Sequence, residues 1–232
     1  MTTVLLVRHG RSTANTSAVL AGRTPGVALD DRGREQAAAL AERLGALPLA
    51  AIVSSPLQRC LETAAPLAAA TGVRVTKEKR LAECDYGDWT GRSIKELMKE
   101  KLWKVVQAHP SAVAFPGGES MAGMAARAVS AIRDWDERLT TSHGPAAVWV
   151  ACSHGDLIKA VVADAMGVHL DLFQRIVIDP GSVTAIRYTD TRPFLLKVND
   201  TGGDTSAYRP PAKSNRSGRG DAVVGGGAGP KS

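Results

Sequence analysis

Three short apolar runs, each closed by a charge or a helix-starting residue, constrain this chain more than any other feature. They are Val4-Leu5-Leu6-Val7, Ala50-Ala51-Ile52-Val53 and Ala147-Val148-Trp149-Val150-Ala151-Cys152. Near-continuous apolar runs of this length suit strands buried on both faces, and such strands belong to parallel sheets covered by helices. The first run ends in Arg8-His9-Gly10, the second in Ser54-Ser55-Pro56-Leu57-Gln58-Arg59, and the third in Ser153-His154-Gly155-Asp156. Ser before Pro marks a helix start, so Ser55 is the expected N-cap and Pro56 the first helical residue, with Arg59 in the first turn. Ser153 is the expected N-cap of the helix that His154 opens.

In open α/β sheets, ligands bind outside the carboxyl ends of the strands. If the three strands are neighbours, Arg8, His9, Arg59 and His154 converge there. Two guanidiniums match phosphate oxygens, and helix N-termini add amide donors and a positive dipole end. An imidazole can act as nucleophile, base or acid.

Other phosphate chemistries fit poorly. A cysteine nucleophile needs Arg six residues on, and Cys60, Cys84 and Cys152 are followed there by Pro66, Thr90 and Ile158. No Gly-x-x-x-x-Gly-Lys-Ser/Thr loop occurs. Among His9, His109, His143, His154 and His169, none pairs with carboxylates at a dinuclear-metal spacing; Ser153-His154-Gly155-Asp156 is the weak metal candidate. The expectation is a nucleophilic histidine with no metal and no cofactor.

The chain resembles the histidine phosphatase, or phosphoglycerate mutase-like, superfamily. The blocks that carry the resemblance run in order: Leu6-Val7-Arg8-His9-Gly10-Arg11-Ser12-Thr13-Ala14-Asn15, Leu29 to Ala37, Ser54 to Ala64, Leu81 to Gly91, and Ser153-His154-Gly155. The resemblance covers residues 3 to about 200. It implies a phosphomonoester hydrolase that acts on a small phosphorylated metabolite through a phosphohistidine. His9 would attack as the neutral imidazole, with Arg8 and Arg59 depressing its pKa. The same arginines, with protonated His154, would neutralise the transferring phosphoryl group. Glu83, in the block matching the family's acid-bearing loop, would protonate the leaving oxygen and then activate water. Asn15 and Gly22 match positions lining the phosphate pocket, though Asn15 reads equally well as a helix cap, and Gly155 would offer a backbone amide.

Two alternatives stand beside this reading. A phosphoglycerate-type mutase would need a longer basic segment with adjacent arginines; here Arg92-Ser93-Ile94-Lys95 leads to Lys101-Leu102-Trp103-Lys104, and Asp88-Trp89-Thr90-Gly91 looks more like the phosphatase branch. A non-catalytic phospholigand-binding module is disfavoured because both histidines, both arginines and Glu83 are retained.

Between the runs the pattern is helical. Asp30 or Asp31 caps a helix ending near Gly45. Leu57, Cys60, Leu61, Ala64 and Ala68 form a stripe closing at Gly72, and Met121, Met124, Ala128, Ile132, Trp135 and Leu139 form another. Ser182 to Tyr188 and Phe194 to Val198 read as two strands joined by a turn. The alternation predicts an α/β chain built as a three-layer α/β/α sandwich. The resemblance adds a mostly parallel sheet with one antiparallel edge strand. The pocket rim is expected from Thr16 to Val27 and Leu102 to Glu119, including Arg23, Lys104 and His109.

The 232 residues are 44% hydrophobic, enough for one sizeable core. No run is long enough for a secretory or membrane segment, so a cytoplasmic location with no membrane partner is expected. Three cysteines without metal spacing read as reduced core residues. Residues 1–201 form the expected catalytic domain and 202–232 a Gly/Ser/Pro-rich basic tail, expected to be disordered. From Tyr208 onward, five basic residues against Asp221 supply +4 of the chain's net +6. The tail lacks interleaved aromatics, so no nucleic-acid partner is expected. An apolar helix face would allow a homodimer.

Overall fold

The structure, a computed structural model, describes residues 2–202, so nearly all of the basic tail lies outside the described residues. Six strands form one sheet in the order β3-β2-β4-β1-β5-β6: β1 (Thr3–Arg8), β2 (Leu49–Ser54), β3 (Val75–Lys77), β4 (Val148–Ser153), β5 (Val183–Tyr188) and β6 (Pro193–Asp200). Strands β3, β2, β4 and β1 are parallel; β5 pairs antiparallel with β1, and β6 with β5.

Seven α-helices are described: α1 (Thr13–Thr16), α2 (Asp31–Leu44), α3 (Gln58–Thr71), α4 (Ile94–Leu97), α5 (Lys101–Ala108), α6 (Met121–His143) and α7 (Gly155–Ala165). Side chains alternate along each strand, so the runs feed two cores. Leu5, Val7, Ile52, Val150 and Cys152 pack with Leu40 and Leu44 of α2 and Cys60, Ala64 and Leu67 of α3. Val4, Leu6, Val53, Trp149 and Ala151 pack with Met124, Ala128 and Ile132 of α6 and Leu157, Ile158 and Val161 of α7. The chain is thus the expected α/β/α sandwich with a mostly parallel sheet. Among the described residues no helix is long and apolar enough to cross a membrane.

The helix ends follow local chemistry. Asp30 caps α2, its carboxylate accepting from the Gly33 amide at 2.8 Å. Gly72 closes α3 with φ +71°, a left-handed conformation that favours glycine. Ser120 caps α6 by accepting from Gly123 N at 3.0 Å.

Three local expectations need correction. The strand running against the others, β5, is not at the edge; β6 covers it, because a tight turn closed by Thr189 N to Arg192 O at 3.2 Å brings the chain straight back. Helix α3 begins at Gln58, with Leu57 rather than Ser55 at its N-cap. The Ser55 amide extends the sheet by donating to Cys152 O at 2.9 Å, which holds Ser55 and Pro56 outside the helix. Likewise Ser153 stays in β4, opposite Arg8, and its hydroxyl donates to Leu81 O at 2.8 Å; His154 is the N-cap of α7.

Helix α2 follows β1 onto one face of the sheet, and α7 follows β4, its neighbour, onto the other. Their connections diverge at the carboxyl ends of these strands and leave a crevice there. The loop after β1 lies tight against α2: a Cβ on Gly10 would sit 2.5 Å from Gly33 O, and one on Gly33 would sit 2.0 Å from Arg11 O. Only glycines permit this approach, which fixes where His9 emerges.

Candidate active site

Strand register sets the site. Arg8 lies opposite Ser153, and Ser54 opposite Cys152, so the carboxyl ends of β1, β4 and β2 are level. The sheet continues one step further: His9 N donates to Ser153 O at 3.0 Å. His9, Arg59 and His154 emerge side by side, all buried. The imidazole rings of His9 and His154 stand edge to face with centroids 5.2 Å apart.

Hydrogen bonds assign each ring one neutral tautomer. His9 Nδ1–H donates to Gly10 O at 2.7 Å, leaving Nε2 as the lone pair, which accepts from Arg59 Nε at 3.2 Å. Burial, and after it the Arg59 charge, lowers the His9 pKa to about 3. His154 Nδ1 accepts from Arg59 Nη2 at 3.1 Å, so Nε2–H donates to Ser55 Oγ at 2.8 Å. Burial, then Arg59, also holds His154 well below the usual histidine range. Desolvation beside a guanidinium thus disfavours the protonated His154 that the sequence suggested.

Arg59 Nη2 also donates to Gly22 O at 2.9 Å, while Arg59 Nη1 is buried without a partner. Arg8 Nη1 donates to Ile178 O at 2.6 Å, and Arg8 Nε is likewise buried and unpaired. Buried unpaired donors are costly, and two charged ones in one pocket point to an anionic ligand. Gly155, first residue of α7, lies under the Arg8 guanidinium, where a Cβ would come within 3.4 Å. Thr63 of α3 ties the group together: its hydroxyl donates to Arg59 O at 2.7 Å and accepts from Gly10 N at 3.0 Å.

Glu83 approaches from the loop between β3 and α4. Its Oε1 accepts from Cys84 N at 2.9 Å, and Oε2 lies 3.8 Å from His154 Nδ1. Burial first, then the nearby Asp156 carboxylate, raises its pKa to about 7. Arg127 of α6 holds this loop, donating to the carbonyls of Arg80, Ala82 and Glu83 while pairing in bidentate fashion with Glu119 at 2.6 and 3.0 Å.

Arg8, His9, Arg59 and Glu83 line a cavity of about 490 Å³ together with Asn15, Gly22 and Gly155, while His154 is fully buried and is not part of the lining. Asn15, the third helical residue, completes the capping box of Ser12, with Oδ1 accepting from Ser12 N at 3.0 Å, and also lines the cavity.

The rim differs from expectation. Ala18 to Gly22 line the cavity, but Arg23 turns away to Glu119 at 3.0 Å, and nothing from Leu102 to Glu119 reaches it. Helix α5 packs against the core instead: Trp103 stacks on the buried Trp89 at 6.2 Å, and His109, just after the helix, lies 3.9 Å from Asp171. Ile94, Val177 and Ile178 take that part of the wall.

Sequence reasoning missed Tyr86, Asp156, Lys159 and Arg127. Tyr86 OH donates to Asp156 Oδ2 at 3.0 Å, and Lys159 Nζ lies 3.6 Å from Asp156 Oδ1. The signal available was spacing: Asp156 and Lys159 share a face of the helix that follows His154. Among the described residues no group of three or more His, Cys, Asp or Glu side chains is placed to hold a metal ion.

Comparison with known proteins agrees with this geometry. The model of the histidine phosphatase superfamily, branch 1, matches residues 4–201. Phosphoserine phosphatase 1 of Hydrogenobacter thermophilus is 34% identical over 207 residues, covering 87% of this chain and 93% of that protein. A probable phosphoglycerate mutase of Salmonella choleraesuis is 30% identical over 215 residues, covering 91% and 97%. The solved structure of a mycobacterial glucosyl-3-phosphoglycerate phosphatase with VO3 superimposes with a TM-score of 0.77 at 27% identity, covering 85% and 99%.

Proposed function

The chain belongs to the histidine phosphatase superfamily, branch 1, and from that premise we propose that it hydrolyses small phosphate monoesters through a phosphohistidine on His9, without a metal. The observation that carries this reading is the His9 lone pair. Nε2 is unprotonated and buried, with the unpaired donors Arg8 Nε and Arg59 Nη1 in the same pocket. A phosphate dianion satisfies both donors and presents phosphorus to Nε2.

The reaction then runs in two displacements. The His9 Nε2 lone pair forms the N–P bond as the P–O bond to the alcohol breaks. Glu83, held protonated by burial, gives its proton to the departing oxygen. Glu83, now a carboxylate, takes a proton from water as that water attacks phosphorus, releasing inorganic phosphate and restoring neutral His9. Arg8 and Arg59 stabilise the equatorial oxygens throughout, each worth about 10²- to 10³-fold in rate.

Phosphoenzyme trapping tests this. A labelled substrate pulse gives an acid-labile, base-stable adduct on the wild-type protein and none on His9→Ala, whose turnover falls at least about 10⁴-fold. An adduct on His9→Ala, or intact turnover, overturns the proposal.

The similarity to a probable phosphoglycerate mutase favours a second reading, in which the phosphoryl group returns to a bound intermediate. Interconversion of 3- and 2-phosphoglycerate with a bisphosphoglycerate primer, running faster than phosphate release from any monoester, selects it.

A further inference from the structure

We propose that Asp156 selects the alcohol half of the substrate, so that the pocket takes phosphomonoesters whose alcohol carries a hydroxyl or ammonium donor and no carboxylate. This rests on the phosphomonoesterase reading and adds the class of leaving group.

The charge inventory of the cavity carries the inference. Arg8 and Arg59 match the two charges of a phosphate dianion. The remaining cations are committed. Arg23 donates to Glu83 O at 2.9 Å and pairs with Glu119 at 3.0 Å and Asp85 at 3.5 Å. Lys159 donates to Gln174 Oε1 at 3.0 Å, lies over the Phe173 ring and sits 3.6 Å from Asp156. No uncommitted cation is left in the pocket among the described residues to hold a second acidic group. A carboxylate on the alcohol half would instead meet the Asp156 carboxylate.

Asp156 offers the opposite. A carboxylate has about four acceptor sites. Tyr86 OH uses one and the Lys159 ammonium lies near a second, so capacity remains for a substrate donor. Asp156 stands two residues after His154, beside the phosphate subsite. The wall formed by Leu20, Ile94, Val177 and Ile178 is apolar and suits a carbon skeleton.

Matched esters test the proposal. Phosphoethanolamine and phosphoserine differ by one carboxylate, and 3-phosphoglycerate carries a carboxylate where glycerol 3-phosphate carries a hydroxymethyl donor. The wild-type protein should show kcat/KM at least about ten-fold higher for the carboxylate-free member of each pair. In Asp156→Asn the ratio within each pair should contract to about three-fold or less. A ratio is the right readout, because a change in the acidity of Glu83 acts on both members alike. Equal or better turnover of the carboxylate esters by the wild-type protein overturns the inference, and that comparison needs no variant. An unchanged ratio in Asp156→Asn overturns the role of Asp156. Should no ester be hydrolysed, the catalytic reading fails separately. The same ratios, measured as affinities on His9→Ala by calorimetry, then support or overturn the selection.

Discussion

Arg59 donates from Nε to Nε2 of His9 at 3.2 Å, so the proposed nucleophilic lone pair is held by the guanidinium that must later hold the phosphoryl group. The same guanidinium reaches His154 Nδ1 at 3.1 Å through Nη2. One arginine thereby assigns both imidazole tautomers and, after burial, adds to what keeps both rings neutral. In the proposed reaction an arriving phosphate dianion would compete for these donors and free Nε2.

Replacing Arg59 by Met should therefore do two things. Turnover should fall about 10²- to 10³-fold, the usual cost of one preorganised donor. The His9 pKa should rise from about 3, because removing a nearby cation favours the imidazolium. NMR titration of the His9 ring reads the second effect, and a His9 pKa left in place would contradict the electrostatic role.

Glu83→Gln keeps the shape but has no proton to give. Turnover of poor leaving groups should fall about 10²- to 10⁴-fold, and that of nitrophenyl phosphate much less. The wild-type kcat/KM profile should decline above pH about 7, where Glu83 loses its proton, and this limb should vanish in the variant. An equal loss with every leaving group would remove Glu83 from the role of acid.

The same carboxyl should cost stability at high pH. Its folded pKa, about 7, lies above the ordinary 4.5, so the folded state binds the proton more tightly. Its favourable contribution is present below pH 4.5 and is lost as pH rises through about 7. Glu83→Gln should thus be more stable than wild type at pH 8, by about 2 kcal/mol after allowance for neighbouring charges. The gap should close as pH falls toward 4.5, and denaturant titration across this range checks it. A variant less stable at pH 8 would refute the argument.

Prolonged dialysis against a chelator should leave turnover unchanged, since two arginines already supply the charge that a divalent ion would bring. Activity lost on dialysis and restored by a divalent metal would overturn this.

The three buried strands, the cap at Asp30 or Asp31 and the stop at Gly72 were legible in the sequence, because each depends on residues within a few positions. Arg8, His9, Arg59 and His154 could be listed together because each follows a strand end, and parallel strands bring those ends level. Glu83 had no such local mark and was legible only through family resemblance. Ser55 was misread as a cap because the competing bond, from its amide to Cys152 O, comes from a strand that lies almost a hundred residues away in sequence.

Apolar periodicity and helix-end chemistry, both local, were enough to determine the layered fold and the strand ends that carry the candidate site. Tertiary structure alone decided the charge state of His154, the contact of Tyr86 with Asp156, and the grip of Arg127 on the Glu83 loop. Desolvation and ion pairing depend on which distant groups share a buried volume, and that is fixed only when the sheet has closed against both helical layers.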